Sequence, residues 1–395
     1  MNTATTLRAD VRTIALVGVA HLISHFFQLV IPPMFPVLKE EFGLGYTELG
    51  LVMTLFFTVS AGCQTFAGVL ADRFGAGRVL LSGIALIALG ILLAGFAPSY
   101  PLLIVAALVA GLGNSVFHPA DFAILNARVD RSHLGHAFSV HNIGGHLGWA
   151  LAPVYAVATA AFGWRASLIG AGLLGFGIFA LLFWQRDFLR TESRKSQVTG
   201  AAGSGNLRIL MAPAVLLYFL FFVLMSVSMV GTQNYLIPVL QTLYDQPLVL
   251  ASSALTAYLL GSAAGTFTGG FVATRNFHPE RVTAFGVLGL ALFYFVLAAG
   301  WLPSAAIVAL AACGGFSLGI ILPSRDLLVR DAAPPESRGK VYGFVYSGLD
   351  VGAAIAPVVL GWQLDHGQHR GMLVVTGVLL LLAIATIYQA RRVTR

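Results

Sequence analysis

The sequence GLGNSVFHPADFAILNARVDRSHLGHAFSVHNIGGHLGWALAP, residues 111–153, decides how the rest of the chain is interpreted. It contains two apolar runs joined by a short basic connector, and the runs include histidine, asparagine and aspartate. A shift of 204 residues superimposes it on a second stretch in which the same glycines and prolines recur. The pairs are Gly111/Gly315, Pro119/Pro323, Gly135/Gly339, Gly148/Gly352 and Pro153/Pro357. The recurrence indicates an internal duplication, and we expect the functional site in this hairpin and its copy.

The composition places the chain in a lipid bilayer. Hydrophobic residues make up 57% of it and charged residues 10%, with a mean hydropathy of +0.84. A water-soluble domain needs more charge than this to cover its surface. The stretches 79–120, 132–164 and 282–324 contain no Asp, Glu, Lys or Arg, and each is long enough for two helices of about 20 residues. We therefore predict an all-α membrane protein.

The formal charge of +7 follows the membrane topology. Most Lys and Arg residues fall in alternate connectors or at the termini, and the opposite connectors contain only Lys39, Arg165 and Arg370. Basic residues concentrate on the cytoplasmic side of multi-pass proteins. The pattern predicts that both termini are cytoplasmic, and it removes the reason to expect a nucleic-acid partner.

Twelve apolar spans are predicted. They are residues 13–37, 47–70, 78–97, 101–126, 134–161, 165–185, 209–237, 248–273, 281–300, 303–329, 338–361 and 370–390. A polar, glycine-containing segment after the sixth span indicates a cytoplasmic linker, 186–208, between an N-terminal bundle, 1–185, and a C-terminal bundle, 209–395. Because six is an even number, the two repeats run parallel, which is one of the ways in which secondary transporters are built.

A short motif after the second span suggests a family. The segment GVLADRFGAGR, residues 68–78, is echoed after the eighth span, where Gly270, Thr274 and Arg275 stand in place of Gly68, Asp72 and Arg73. This arrangement resembles the major facilitator superfamily, although the chain has one extra residue before Arg78. The resemblance implies a twelve-helix transporter of the bacterial inner membrane, with Asp72, Arg73 and Arg78 as part of a cytoplasmic gate. It also implies a monomer without a cofactor.

Within that superfamily, residues 111–153 are similar to the fosmidomycin-resistance branch of bacterial efflux proteins. The branch has a Phe-His-Pro-Glu motif, and this chain has Ala120 at the position of the glutamate, with Asp121 following it. That difference leaves the substrate open. The GxxxG spacing of Gly144 and Gly148, with Pro153 beyond it, loosely resembles an antiporter motif and favours export.

Ionisable groups inside predicted spans are the main candidates for function, because they are costly in lipid. Well inside the spans, away from their ends, the acids are Asp121, Asp326 and Asp350, and Arg325 is the one basic residue. Asn114, His118 and Asp121 share a helical face at i, i+4 and i+7, as do His21, His25 and Gln28 on span one. Each face either lines a central cavity or makes a polar contact between helices. Span five adds His141, Asn142 and His146.

The second half supplies the remaining candidates. Arg325 overlays Asp121 in the repeat, and three interpretations stay open: it approaches Asp121 in one conformation, it binds an anionic substrate, or it extends to the cytoplasmic surface. Asp350 overlays His146 and shares a face with Tyr346. Gln233 and Asn234 precede Pro238, which could mark a broken helix or an outer gate.

We therefore predict a proton-coupled exporter of a small anionic or zwitterionic compound, with a proton-coupled importer of an organic acid as the alternative. No enzyme motif is present. Six of the seven histidines in the first half permit a metal site, namely His21, His25, His118, His136, His141 and His146. They lack Cys or Glu partners inside the bilayer, and we expect no bound metal. Protons, a small molecule and lipid are the expected partners. The predicted proton-coupling residues are Asp121, His118 and Asp350. The predicted substrate-binding residues are His21, His25, Gln28, Asn114, His118, His141, Asn142, His146, Gln233, Asn234, Arg325 and Tyr346.

Overall fold

The computed structural model describes residues 3–191, 207–274, 278–332 and 338–394, and within these ranges the regular structure is entirely helical. The α-helices are α1 Thr3–Leu29, α2 Phe35–Phe42, α3 Tyr46–Phe74, α4 Ala76–Gly95, α5 Tyr100–Asn114, α6 Phe117–Arg128, α7 Leu134–Thr159, α8 Gly163–Trp184, α9 Pro213–Tyr244, α10 Leu248–Thr274, α11 Pro279–Ala298, α12 Ser304–Ala332, α13 Arg338–Asp365 and α14 His369–Thr394.

Eleven segments of the described chain are long and apolar enough to cross a membrane. One of them, Leu134–Trp184, is 51 residues long and contains both α7 and α8. A three-residue 3₁₀ turn and Gly163, with its φ of 80°, separate these two helices. Because one of the eleven segments contains two helices, the count agrees with the twelve predicted spans. The predicted all-α membrane fold is confirmed.

Two of the spans are interrupted by proline. The first span breaks between α1 and α2 at a 3₁₀ turn, Pro32–Met34, where Pro32 and Pro33 have no N–H to continue the helix. The fourth span breaks between α5 and α6 at Ser115 and Val116, just before His118 and Pro119. In contrast, α9 runs without interruption through Pro238, so the broken helix considered for span seven is wrong.

The contacts of the chain cluster in two units. One contains the described residues of Met1–Phe42 and Leu55–Ala201, and the other those of Gly43–Thr54 and Ala202–Arg395. The start of α3 groups with the second unit because Asp365 accepts hydrogen bonds from the backbone N–H groups of Tyr46 (2.7 Å) and Thr47 (2.8 Å). The functional boundaries at 185 and 209 stay a prediction.

Helix packing follows the same scheme in both units. In the first unit α1 packs on α7, and α4 packs on α5 and α8. In the second unit the corresponding pairs recur, with α9 on α13 and α11 on α12 and α14. The repeat seen in the sequence is therefore also a repeat in the structure, since equivalent helices of the two units pack against equivalent partners.

Two of the recurring glycine pairs, Gly111/Gly315 and Gly148/Gly352, lie where helices approach closely. A Cβ on Gly148 would lie 2.1 Å from the carbonyl oxygen of Leu22 on α1, and one on Gly352 would lie 2.6 Å from that of Val223 on α9. Small residues allow backbones to come this close. At these two pairs the repeat thus preserves positions at which a side chain cannot be accommodated, whereas a Cβ on Gly135 would meet nothing within 4 Å.

Candidate functional site

A carboxylate surrounded by imidazoles lies inside the first unit. The side chain of Asp121, on α6, is 0% exposed. Its Oδ2 atom lies 3.2 Å from Nδ1 of His21 on α1 and 3.1 Å from Nε2 of His141 on α7. Both ring nitrogens lie within hydrogen-bond distance of one carboxylate oxygen, so a single acid joins three helices. We name Asp121, His21, His25, His118 and His141 the histidine cluster.

The rings of the histidine cluster form a continuous array. His21 stacks on His141 with 3.5 Å between ring centroids, and it lies 4.3 Å from His25 and 5.3 Å from His118. His21, His25 and His141 are buried, whereas His118 is exposed. The array therefore reaches from the buried acid to one accessible imidazole.

Buried polar atoms of the cluster keep unused hydrogen-bonding capacity. Nδ1 of His25, Oδ1 of Asp121 and Nδ1 of His141 are buried and have no hydrogen-bond partner within the described structure. Such atoms are costly in an apolar interior unless a proton, water or ligand satisfies them. One ring nitrogen from each of His21, His118 and His141 lies within 4.8 Å of the others, a spacing that could hold a transition metal.

An amide network adjoins the cluster. Gln28 donates to Asn114 (3.1 Å), and Asn114 donates to Ser60 on α3 (2.8 Å). Trp149 on α7 donates its indole N–H to Oε1 of Gln28 (3.1 Å), and its ring lies 4.4 Å from that of His25. The network joins α1, α3, α5 and α7. The helical spacing of polar residues in the sequence identified Gln28 and Asn114 as site candidates. It missed Trp149, because an aromatic residue in a membrane span usually indicates packing.

The other two candidates on α7 lie outside the histidine cluster. His146 packs edge-on against Trp149 at 5.8 Å between centroids. Asn142, one position after His141, is exposed. Helical geometry turns it about 100° away from its neighbour, so the two side chains leave α7 in different directions.

In the second unit, a guanidinium lies between aromatic rings. The side chain of Arg325, on α12, is 12% exposed, and its Nε lies 3.3 Å from Oδ1 of Asp326. Its central carbon lies 4.6 Å from the ring centroid of Phe222 and 5.9 Å from that of Tyr346. This largely buried position does not fit the interpretation of an arginine extended to the surface. Phe222 was not predicted, for the same reason as Trp149.

The other candidates of the second unit do not join Arg325 in one cluster. Asp350 is exposed, a full turn beyond Tyr346 on α13. Gln233 and Asn234 are buried in α9, where the Asn234 amide donates to the carbonyl of Val230 (2.8 Å). Nε2 of Gln233 and Oδ1 of Asn234 have no partner in the described structure.

The predicted gate residues flank a tight turn. Asp72 and Arg73 lie at the end of α3, and Arg78 lies in the first turn of α4. Gly75, with a φ of 90°, is the one residue between these helices. All three charged side chains are exposed, and the Arg73 guanidinium lies 5.2 Å from the Phe74 ring centroid.

The family of the chain follows from a match to a family model. The model of the Major Facilitator Superfamily matches residues 17–255 and 234–395. The chain belongs to the Major Facilitator Superfamily, and it is a multi-pass membrane transporter rather than an enzyme.

Relatives and solved structures agree with this assignment. The chain is 25% identical to the fosmidomycin resistance protein of Escherichia coli (strain K12), over 97% of this chain and 94% of that one. It is 37% identical to a probable 4-methylmuconolactone transporter of Cupriavidus pinatubonensis over 131 residues, which is 33% of this chain and 30% of that one. The fold matches a bacterial homolog of the human lysosomal transporter Spinster in an inward-facing, unoccupied conformation, with a TM-score of 0.82, 15% identity, and coverage of 98% and 97%.

Proposed function

We propose that this transporter exports a small anionic or zwitterionic organic compound in exchange for protons, by alternating access. The observation that carries the proposal is the buried carboxylate of Asp121, which two imidazoles hold within the membrane-spanning part of the first unit. An ionisable group in that environment is costly and is by default functional.

The histidine cluster gives protons a route to this acid. A proton binds first to the exposed His118, one of whose ring nitrogens lies within 4.8 Å of ring nitrogens of His21 and His141. One bridging water can carry the proton across such a gap, and from either of these rings it reaches Asp121. Once protonated, Asp121 accepts hydrogen bonds less strongly, because a charged acceptor makes the stronger bond. Its contacts with α1 and α7 then weaken, and the protonation state of one residue changes how three helices pack.

Protons rather than a metal are proposed for the cluster, because a carboxylate within hydrogen-bond distance of two imidazoles can exchange a proton with either ring. Asp350, exposed on α13, is proposed as a second proton-accepting group.

Substrate recognition is assigned to the Arg325 environment. A guanidinium can bind a carboxylate or phosphonate through two parallel hydrogen bonds. The rings of Phe222 and Tyr346 fix its plane, and neighbouring Asp326 neutralises the charge in the unloaded state. The proposed substrate-binding group also includes the amide residues Gln28 and Asn114.

The proposal also covers the orientation of the chain in the membrane and the residues of the cytoplasmic gate. We further propose that the chain is a monomer in the bacterial inner membrane, with both termini in the cytoplasm, and the charge of the basic connectors supports this orientation. Asp72, Arg73 and Arg78 would then lie at the cytoplasmic edge and form the gate by charge contacts with helix ends.

Two directions of transport are supported by different relatives. The resistance protein of Escherichia coli, alike over nearly the whole chain, favours export. The probable 4-methylmuconolactone transporter, which is similar over a third of the chain, is named for a small organic substrate rather than for resistance, and we keep import of an organic acid as the second candidate. Expression in a sensitive strain should raise tolerance to fosmidomycin in the first case, and should instead permit growth on an organic acid in the second.

The decisive experiment measures protons directly. The purified protein is reconstituted into liposomes that contain a pH-sensitive dye, and a gradient of fosmidomycin, a phosphonate, is imposed. Exchange predicts a proton flux that opposes the substrate flux, whereas no flux with any anionic compound tested would reject the proposal. Addition of EDTA should leave the flux unchanged, and its loss would assign the cluster to a metal.

A further inference from the structure

A basic cavity lies in the second unit where α11 begins and α14 ends. The two helices pack side by side, and the cavity has a volume of about 340 Å³. It is lined by His278, Glu280, Arg281, Tyr388, Arg391 and Arg392. None of these residues belongs to the proposed transport site. The cavity lies at the ends of two membrane spans, where bilayer meets water.

Its charges are unbalanced. Three arginines face one carboxylate, which leaves two positive charges in excess. Glu280 is 5% exposed and forms an ion pair with Arg391, and its Oε1 lies 3.7 Å from Nδ1 of His278. Arg281 and Arg392 are exposed and make no ion pair with any residue that the structure describes. Arg391 is thus paired with the buried Glu280, while Arg281 and Arg392 remain available for an anion.

Apolar side chains continue from both of these arginines into the bilayer. On α11, Phe285, Leu288 and Leu292 follow Arg281 at i+4, i+7 and i+11, and all are exposed. On α14, Tyr388 and Leu381 precede Arg392 at i−4 and i−11, and both are exposed. These spacings place each set on one helical face. Each face therefore carries a cation at the membrane boundary and apolar surface below it.

We propose that this cavity binds an anionic phospholipid. The lipid phosphate lies between Arg281 and Arg392, since guanidinium groups match phosphate oxygens in charge and geometry. The N-terminus of α11 adds partial positive charge at the same point. The acyl chains follow the two apolar faces. A free phosphate would use the arginines alone, whereas an amphipathic lipid uses both surfaces, and basic pockets between spans are known to hold anionic headgroups.

The test measures lipid binding to the whole protein. The purified protein is titrated with dioleoyl phosphatidylglycerol or dioleoyl phosphatidylcholine, and the bound lipids are counted by native mass spectrometry. The variant carries Arg281→Gln and Arg392→Gln. Its affinity for phosphatidylglycerol should fall about tenfold or more, because each basic residue near a membrane surface contributes on the order of a fivefold effect. Binding of phosphatidylcholine should not change.

A matched control removes the same charge elsewhere. Arg186→Gln with Arg190→Gln changes two exposed arginines after α8, the helix that corresponds to α14 in the first unit. An equal loss in the control would show general attraction and overturn the proposal, as would unchanged binding in the variant. The variant Arg281→Lys with Arg392→Lys keeps the charge, and it should bind more phosphatidylglycerol than the glutamine variant. Complete displacement of the lipid by inorganic phosphate at millimolar concentration would assign the cavity to a free anion instead.

Discussion

The histidine cluster of the first unit and the Arg325 environment of the second occupy equivalent positions in the repeat, yet they differ in chemistry. Asp121 is fully buried and contacts two imidazoles, whereas Arg325 lies between aromatic rings with an acid beside it. His118 and His141 correspond to Leu322 and Val345, which cannot carry protons. The helix-packing glycines recur while the polar residues diverge. The two units thus share a scaffold but not their polar residues. We propose proton transfer for the first unit and anion binding for the second.

The most direct test of this difference between the two units is to remove the acid from the first unit. Asp121→Asn keeps the volume of the side chain but cannot be ionised. We expect proton-driven transport to fall by more than about tenfold and its pH dependence to flatten, since proton-transfer groups typically contribute 10²-fold or more. Exchange of labelled for unlabelled substrate should continue, because it needs no proton. Flux measurements in liposomes between pH 5.5 and 8.5 check both results.

A control for that variant lies in the adjoining connector. Asp130 is exposed, and hydrogen bonds from the side chain and backbone of Ser132 lower the pKa of its carboxyl. Asp130 therefore stays charged across the range tested. Asp130→Asn should leave the pH dependence of transport as it is. If both variants flatten the profile equally, the coupling role of Asp121 is lost.

The comparison predicts the opposite selectivity for the second unit. Arg325→Gln should reduce transport of anionic substrates by roughly tenfold or more, because a charged hydrogen bond is lost, and should affect a neutral substrate little. Arg325→Lys keeps the charge without the planar fork and should give an intermediate rate. Uptake of labelled acids and of a neutral analogue measures the difference. Equal loss for charged and neutral compounds would instead indicate a structural role.

The shared scaffold can be tested through its glycines. A methyl group on Gly148 would meet the Leu22 carbonyl, so Gly148→Ala should lower the free energy of unfolding by about 1–3 kcal/mol, the usual cost of overpacking. Gly135, on the same helix, has nothing within 4 Å of the added carbon. Gly135→Ala should leave the stability unchanged or slightly raised. Thermal unfolding of the two variants in detergent gives the comparison, and equal melting temperatures would contradict it.

The sequence predicted the helices and most of the polar residues, but not which of them would meet. Helical spacing placed His118 and Asp121 on one face, and His21 and His25 on another, because 3.6 residues per turn is a local property. His21 and His141 contact the same carboxylate oxygen of Asp121 because three helices pack together. No local sequence pattern encodes that packing. Arg325 was recognised as unusual, but Phe222 comes from a span about 100 residues away and carried no polar signal.

The smallest predicted effect concerns Trp149, which connects the histidine cluster to the amide network. Trp149→Phe keeps an aromatic ring against His25 but removes the indole N–H that donates a hydrogen bond to Gln28. The loss of one such hydrogen bond should cost about 1 kcal/mol, and Gln28 should then hold Asn114 less firmly. We expect a several-fold rise in KM with the pH profile of transport unchanged, since the acid keeps both imidazoles. Flattening of the pH profile by Trp149→Phe would instead show that the network and the cluster act as one unit, and it would move the boundary of the proton site to include the tryptophan.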